Sequence, residues 1–242
     1  MGNLAEFNLP SDLACDAHGN LYVADSFNHC IRKIDESGNV TTLAGSGTAG
    51  FSDGPGGSAR FNQPAGLAVD EAGCVFVADT FNRRIRRIDP CGSVTTCQFP
   101  NGSLSADVND LAVDAAGNLY ITGKDRVWLA VLHSGKTIDS GDYLLCHGQY
   151  LLSVLASNLA NPTGIAVDAS GYAYVTETDK HRIRKILPDG NVKTLAGSQE
   201  GYTSAETTSA GAMFSNPRGI TLSADGDIYL ADTGNHCIRR VR

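Results

Sequence analysis

The residues best suited to chemistry are carboxylates paired with amides at a spacing that returns along the chain. Asp25, Asp79 and Asp232 are each followed three positions later by an asparagine. Their oxygen atoms could hold a cation, yet Asp and Asn at such spacing also satisfy backbone groups in tight turns. Because the pairs occupy one repeated position, we interpret them as structural turn residues, and metal binding is the less favoured alternative.

Histidines follow these pairs and would be natural ligands of a transition metal. His29, His181 and His236 share one repeated position, where another copy has Arg83. If each copy is a separate structural unit, residues at a shared position are held apart and cannot converge on a single ion. The sequence therefore predicts no metal centre and no cofactor.

These residues are positioned by a repeat that spans the chain. The runs at 13–16 and 19–25 read LACD and GNLYVAD, and close copies follow, with the equivalent turn residues spaced by 54, 44, 54 and 55 positions. Each copy holds β-branched and aromatic runs separated by Gly, Asn and Asp, which is typical of four short antiparallel strands, A to D. The sequence thus predicts an all-β fold, a β-propeller of five four-stranded antiparallel blades.

One blade cannot bury both of its faces, so we expect a single domain over residues 1–242. The blade cores are expected at about 10–45, 64–97, 109–145, 162–197 and 217–242. The fifth copy lacks a strand D, and we expect residues 3–7 to supply it and remove an exposed edge. The alternative is that the chain is a fragment of a larger ring, for example one of six blades.

The motif runs resemble NHL repeats. They are ADSFNHCIR at 24–32 and ADTGNHCIR at 231–239, together with the linker at 43–64. The motif's third letter is Cys or Arg instead of Leu, and the third copy replaces the motif by GKDRVW at 123–128. The resemblance implies a propeller scaffold. NHL propellers serve as protein-interaction modules, some bind single-stranded RNA, and some related propellers are metal-dependent lyases or lactonases, so the fold does not decide the activity.

The loops sort onto two rims by chain direction. The B-to-C loops and the long D-to-A linkers at 46–60 and 198–213 share one rim, which we call the top face. Rim loops vary without unfolding the ring, and surface aromatics and Arg supply much of the energy at protein interfaces. We expect ligand binding on the top face, at Phe27, His29, Phe51, Phe81, Arg83, His181, Tyr202 and His236.

The leading functional hypothesis is a non-catalytic scaffold that binds a protein or peptide. A metal-dependent lyase or hydrolase with a site in the central channel is the alternative, disfavoured because the inner strands are mainly apolar. At the channel mouth, Asp12 and Asp110 replace a recurring Gly, and with Arg218 they could contact a small cationic or polar ligand. An RNA or sugar binder is a third hypothesis, and RNA is disfavoured by the net charge of -7 and the few loop aromatics.

Charge and cysteine usage set further bounds. Fifteen of the 19 Lys and Arg residues lie on or just before strand C. We interpret them as flank-covering side chains that pair with neighbouring Asp, against the alternative of a basic face on the second and fourth blades. Cys74 and Cys91 flank one hairpin and could form a disulfide in an oxidising environment, although two free thiols are the default.

No targeting signal is visible in the sequence. It lacks an apolar run of about 20 residues and a visible secretion signal. We therefore expect a soluble chain without a membrane partner, and its compartment is left open.

Overall fold

The structure is a computed structural model that describes residues 5–99, 104, 107–133, 149–203 and 211–241. Its strands form five antiparallel sheets, which confirms the all-β five-bladed propeller. Blade 1 contains β1 (Pro10–Cys15), β2 (Leu21–Asp25), β3 (Cys30–Ile34) and β4 (Val40–Ala44). Blade 2 contains β5 (Gly54–Pro55), β6 (Pro64–Val69), β7 (Val75–Asp79), β8 (Arg84–Ile88) and β9 (Ser93–Thr96).

The remaining three blades follow in chain order. Blade 3 contains β10 (Val108–Val113), β11 (Leu119–Gly123), β12 (Arg126–His133) and β13 (Gln149–Ser157). Blade 4 contains β14 (Pro162–Val167), β15 (Ala173–Glu177), β16 (Arg182–Ile186) and β17 (Val192–Ala196). Blade 5 contains β18 (Pro217–Leu222), β19 (Ile228–Asp232) and β20 (Cys237–Val241).

The turns that join strands A and B are closed by their own aspartates. In blade 1, the Asp16 carboxylate accepts hydrogen bonds from the backbone N–H groups of His18 and Asn20, each at 2.9 Å. Asp114 and Asp168 repeat the arrangement in blades 3 and 4. Because Asp can satisfy turn donors locally, the strand pair begins at a fixed register in each blade.

The core lies between neighbouring blades. Tyr22, Ala24 and Ile31 of blade 1 pack with apolar residues of blade 2 in one buried cluster. Equivalent clusters join blades 2 and 3, 3 and 4, and 4 and 5. Alternate residues of a strand point to opposite faces of the blade. One face therefore packs against the preceding blade and the other against the following blade.

The N-terminal segment does not complete blade 5, and that prediction is wrong for the residues described. β18, β19 and β20 form a three-stranded sheet. The Asn8 backbone N–H instead donates to Asp25 Oδ1 at 2.7 Å, and the Phe7 ring centroid lies 5.5 Å from the Arg32 guanidinium. These contacts hold the segment against blade 1, its own blade. Asn3 and Leu4 lie outside the described residues.

A short additional strand appears where a long linker was expected. β5 pairs with β9, so the sheet of blade 2 has five strands. The linker from blade 1 thereby folds along the outer edge of blade 2. Within the described ranges, no helix has the length and apolar character needed to cross a membrane.

Candidate functional site: the top-face loops

The B-to-C loops of four blades share one geometry. Each contains a three-residue 3₁₀ turn followed by a residue in the left-handed backbone region, with φ between 51° and 55°: His29, Arg83, His181 and His236. In blades 1 and 2 the middle residue of the turn is Phe27 or Phe81, and these rings are 47% and 63% exposed. The turn therefore holds an aromatic side chain outward on a defined backbone.

Two long linkers add aromatic residues to this face in equivalent ways. Phe51 is 48% exposed and its ring centroid lies 4.8 Å from the Arg86 guanidinium. Tyr202 is 57% exposed and lies 5.4 Å from the guanidinium of Arg239, the equivalent strand C residue of blade 5. Each ring thus lies close to a strand C guanidinium of the blade that follows its linker, an arrangement that cation–π attraction favours.

The linkers are anchored to the B-to-C loops beside them. Asn82 Nδ2 donates to the Gly50 carbonyl at 2.8 Å, and Asn235 Nδ2 donates to the Gly201 carbonyl at 2.7 Å. Phe51 and Phe81 therefore belong to one connected group of loops on blade 2. Tyr202 belongs to a second group, on blade 5.

The histidines of the loops connect successive blades. His29 Nδ1 accepts a hydrogen bond from the Gln63 backbone N–H at 3.2 Å, and His181 Nδ1 accepts one from the Asn216 N–H at 3.1 Å. Both side chains are half-buried. Each Nδ1 atom is thus bonded to the chain at the start of the next blade.

Arg83 and His236 occupy the same loop position without that contact. Arg83 Nε donates to Asp107 Oδ1 at 3.0 Å, and both side chains are about two-thirds exposed, at 65% and 64%. An ion pair this exposed contributes little to stability. His236 is exposed.

The repeated carboxylates are structural, as the sequence predicted. Asp79 and Arg86 are both fully buried, with Arg86 Nη1 donating to Asp79 Oδ2 at 2.8 Å. Asp79 Oδ1 accepts from the Asn62 backbone N–H at 2.8 Å, and Asn82 Nδ2 donates to Oδ2. The same carboxylate–arginine contact recurs in the other blades that carry the loop, as Asp25–Arg32, Glu177–Arg184 and Asp232–Arg239.

The pKa values of Asp79 and Glu177 are shifted in opposite directions. Burial raises the pKa of Asp79 despite its hydrogen bonds from Asn62, Asn82 and Arg86. For Glu177, burial acts in the same direction but is outweighed by hydrogen bonds from Arg182, Ala160 and Arg184, and its pKa is lowered. These networks pair five strand C cations with carboxylates of their own blades: Arg32, Arg86, Arg182, Arg184 and Arg239.

Arg86 has a second partner, in the linker, that was not predicted from the sequence. Arg86 Nη2 donates to Asp53 Oδ1 at 2.6 Å, and the Thr96 backbone N–H donates to Asp53 Oδ2 at 3.2 Å. The signal for the loop network was an arginine seven positions after each repeated carboxylate, including Glu177 in blade 4. Asp53 has no such repeated spacing, because it lies in a linker that differs between blades.

At the channel mouth, Asp12 and Asp110 meet each other. Asp12 Oδ2 accepts from the Leu67 backbone N–H at 2.7 Å, and Asp110 Oδ2 accepts from the Ile165 N–H at 3.0 Å. Each acid therefore joins its own inner strand to the next one. Burial raises the pKa of Asp12 to about 6, and burial together with the Asp12 charge raises the pKa of Asp110 well above its usual range.

Arg218, the third residue predicted at this mouth, is exposed. Its backbone carbonyl accepts a 2.5 Å hydrogen bond from Thr176 Oγ1. Within the described ranges, its guanidinium forms no ion pair with Asp12 or Asp110. The structure therefore brings the two acids together and leaves the arginine apart from them.

A cleft on the opposite rim was not predicted. Two adjoining cavities of about 210 and 240 Å³ lie between the A-to-B turns of blades 1 and 2. Asp16, His18, Ala72 and Gly73 line both cavities. Because Asp16 is already engaged in closing its turn, the cleft consists largely of blade framework.

Neither a metal cluster nor a disulfide is formed by the described residues. No three of their His, Cys, Asp and Glu side chains are grouped so that they could hold a metal ion. Cys74 and Cys91 are not joined by a disulfide; Cys74 is buried and Cys91 is exposed. The Cys74 sulfur instead lies 2.6 Å from Arg87 Nη2, so the possible disulfide gives way to the default of two thiols.

Blades that stack through apolar clusters, four of them carrying the same internal carboxylate–arginine pair, define a repeat-built β-propeller. The sequence profile of the NHL repeat matches residues 214–241, and that of the SMP-30/Gluconolactonase/LRE-like region matches residues 13–106. The chain is a five-bladed β-propeller that contains NHL-repeat and SMP-30/Gluconolactonase/LRE-like sequence.

Two curated proteins illustrate the similarity. Human teneurin-4 is 27% identical over 277 residues, which cover 93% of this chain and 10% of that protein. Protein SUPPRESSOR OF QUENCHING 1, chloroplastic, from Arabidopsis thaliana is 49% identical over 81 residues, 33% of this chain and 8% of that protein. The chain thus spans about a tenth or less of the length of these relatives.

Solved structures with the same fold differ in activity. An auxiliary nutrient binding protein from Bacteroides ovatus ATCC 8483 has a TM-score of 0.72 at 16% identity, covering 98% of this chain and 59% of its own. A streptogramin B lyase has a TM-score of 0.63 at 16% identity, covering 98% and 71%. A chain of a nidogen/laminin complex has a TM-score of 0.67 at 20% identity, covering 96% of this chain and 75% of its own. At these identities the likeness shows the fold alone.

Proposed function

We propose that this protein is a non-catalytic binding module whose top-face loops engage a protein or peptide. The observation that carries the proposal is the exposure of four large aromatic side chains on these loops, from 47% to 63%: Phe27, Phe51, Phe81 and Tyr202. Aromatic side chains that remain exposed beside a fully bonded framework are available to a partner. Aromatics and Arg are also the residue types that most often anchor protein interfaces.

The blade 2 part of this surface is held ready for binding. Asn82 ties the linker to the B-to-C loop, and the buried Arg86 binds the linker carboxylate of Asp53. Phe51 also lies 4.6 Å from the exposed Arg84 guanidinium. A fixed backbone reduces the conformational entropy lost on binding, which favours affinity for a given contact area.

The chemistry of this group favours a ligand with aromatic or aliphatic anchors and an acidic group. Phe81 offers an apolar surface, and Arg83 beside it carries an exposed guanidinium paired with Asp107. A ligand carboxylate can take the place of Asp107 at small cost, because that pair is exposed. We therefore place the strongest contacts at Phe81 and Arg83.

The test begins with peptides selected from a display library on the 242-residue chain. Their affinity is then measured by fluorescence anisotropy for Phe81→Ala with Arg83→Ala. We expect the double change to weaken binding by about ten-fold or more, since an anchor contributes about 2 kcal/mol. The melting temperature should change little, because both side chains are exposed.

A matched control alters the opposite rim. Glu36→Ala with Glu71→Ala removes two exposed charged side chains there and should leave peptide affinity unchanged. Asp70→Ala removes the acceptor of the Cys74 backbone N–H and should mainly lower stability. Peptides that bind the top-face double variant normally and lose affinity for the bottom-rim variant would reverse the assignment.

A further inference from the structure

In blades 1 to 4, one residue of strand C is buried on the face that packs against the next blade. In blade 5 the equivalent residue is exposed. Ile31, Ile85, Val127 and Ile183 occupy one position of strand C in blades 1 to 4, and each is fully buried. Ile238 occupies that position in blade 5 and is 69% exposed. Burial of an isoleucine side chain is favourable, so a partner that covers this face gains apolar contact.

The edge of the same blade is open along β20. In the described ranges β20 pairs with β19 and with no further strand. In blades 1 and 4, strand C pairs with β4 (VTTLA) and β17 (VKTLA), and Ile31 and Ile183 lie opposite the buried alanines Ala44 and Ala196. An unpaired edge with this neighbour pattern is a template for strand addition.

Two further residues of blade 5, Gly219 and His236, lack the neighbours that their equivalents find on the next blade. A side-chain carbon added at Gly66 or Gly164 would lie 2.3 Å from Asp110 or 2.2 Å from the Arg218 carbonyl, both on the next blade. At the equivalent Gly219, nothing described lies within 4 Å. His236 is likewise exposed, whereas His29 and His181 accept hydrogen bonds from the next blade.

We propose that this surface, formed by β20, Ile238, His236 and Gly219, binds an extended strand with the pattern V-x-T-L-A, the pattern of β4 and β17. The strand pairs antiparallel with β20 in the register of blades 1 and 4, so its alanine lies opposite Ile238. A backbone N–H from the chain that follows the strand donates to His236 Nδ1. The internal repeats supply the register, and the exposed Ile238 supplies the apolar contact.

The experiment uses a labelled synthetic peptide that copies residues 38–69, which include β4, the following linker and β6. It therefore carries the strand, the N–H equivalent to that of Gln63 and an inner strand for Gly219. Binding to the 242-residue chain is measured by fluorescence anisotropy. We expect saturable binding that Ile238→Asp weakens by about ten-fold or more, as for an interface anchor, and that His236→Ala weakens to a smaller extent.

The matched control is Val154→Asp, which places the same charge on an exposed aliphatic position of a strand in blade 3. Val154 is 51% exposed, so both aspartate variants should fold, and circular dichroism melts verify this. No binding by the unaltered chain, or equal weakening by Val154→Asp, would overturn the proposal. Sedimentation that shows a dimer dissociated by Ile238→Asp would also overturn it, because a second copy would then be the occupant.

Discussion

Replacing Asp12 by Asn should stabilise the protein at neutral pH. Asp12 lies against Asp110 at the channel mouth, and burial raises its pKa from 3.8 to about 6. The folded state therefore holds the Asp12 proton more tightly than the unfolded chain does. The resulting stability is fully present below about pH 4 and is lost as the pH rises through about 6.

The amide introduced by Asp12→Asn imitates the protonated acid at every pH. Its oxygen can accept the hydrogen bond that the Leu67 backbone N–H now donates to Asp12 at 2.7 Å, and its NH₂ can donate to the Asp110 carboxylate. The pKa shift of Asp12 corresponds to at most about 3 kcal/mol, at about 1.4 kcal/mol per unit. We expect Asp12→Asn to raise the free energy of unfolding by about 1–2 kcal/mol at pH 7.5, with the gain vanishing near pH 4.

Urea denaturation at several pH values measures this difference. Asp16→Asn is the control of opposite sign, because hydrogen bonds from Asn20, Tyr22 and His18 outweigh burial and lower the pKa of Asp16. That variant should be less stable than the unaltered protein at pH 7.5, and the deficit should shrink as the pH falls. If Asp12→Asn is no more stable than the unaltered protein at pH 7.5, or is more stable by the same amount at every pH, the raised pKa of Asp12 is not the cause.

Two further predictions concern contacts within and between blades. Gly66→Ala should lower the free energy of unfolding by about 1–3 kcal/mol, because the new carbon would lie 2.3 Å from Asp110 Oδ1. Gly219→Ala should cost far less, because no atom of the described residues lies within 4 Å of the added carbon. Equal losses in urea denaturation would contradict the close approach of β6 and β10. Arg86→Met should cost about 3–5 kcal/mol, because it leaves the fully buried Asp79 without its counter-charge. The exposed Arg84→Met is its control, and a thermal melt in which the two variants behave alike would argue against the buried pair.

The fold was predictable because the sequence repeats its strand and turn signals in each blade. Gly and Asp at the A-to-B turns set the hairpins, and the recurring apolar positions set the faces that pack between blades. The strand at Gln149–Ser157 follows the same plan, because it pairs antiparallel with Arg126–His133 as the fourth strand of blade 3. Local signals and tertiary pairing agree at nearly every element.

The prediction that residues 3–7 complete blade 5 was wrong because it assumed that this segment could leave blade 1 and pair with β20. The Asn8 N–H belongs to a repeated contact, made also by Asn62 with Asp79 and by Ser215 with Asp232. That contact ties the chain before each strand A to its own blade. Recognising the repeated carboxylates as partners of this linker would have placed the segment correctly.

The contacts of the long linkers could not be obtained from sequence pattern. Asp53 and Arg86 are 33 positions apart and meet through the fold of a linker that is not shared between blades. The Asp12–Asp110 contact is similarly long-range, although the replacement of a recurring Gly by two acids placed both at the channel mouth. Side chains that depart from the repeat are thus visible in the sequence, while their partners are not.

The proposed binding surface is tested most directly by hydrogen–deuterium exchange of the 242-residue chain with and without a selected peptide. We expect slower exchange in the loops around Phe27 and Phe81 and in the linker around Phe51, with the A-to-B turns unchanged. Protection confined to the turns around Asp16 and Asp70, beside the bottom-rim cleft, would contradict it.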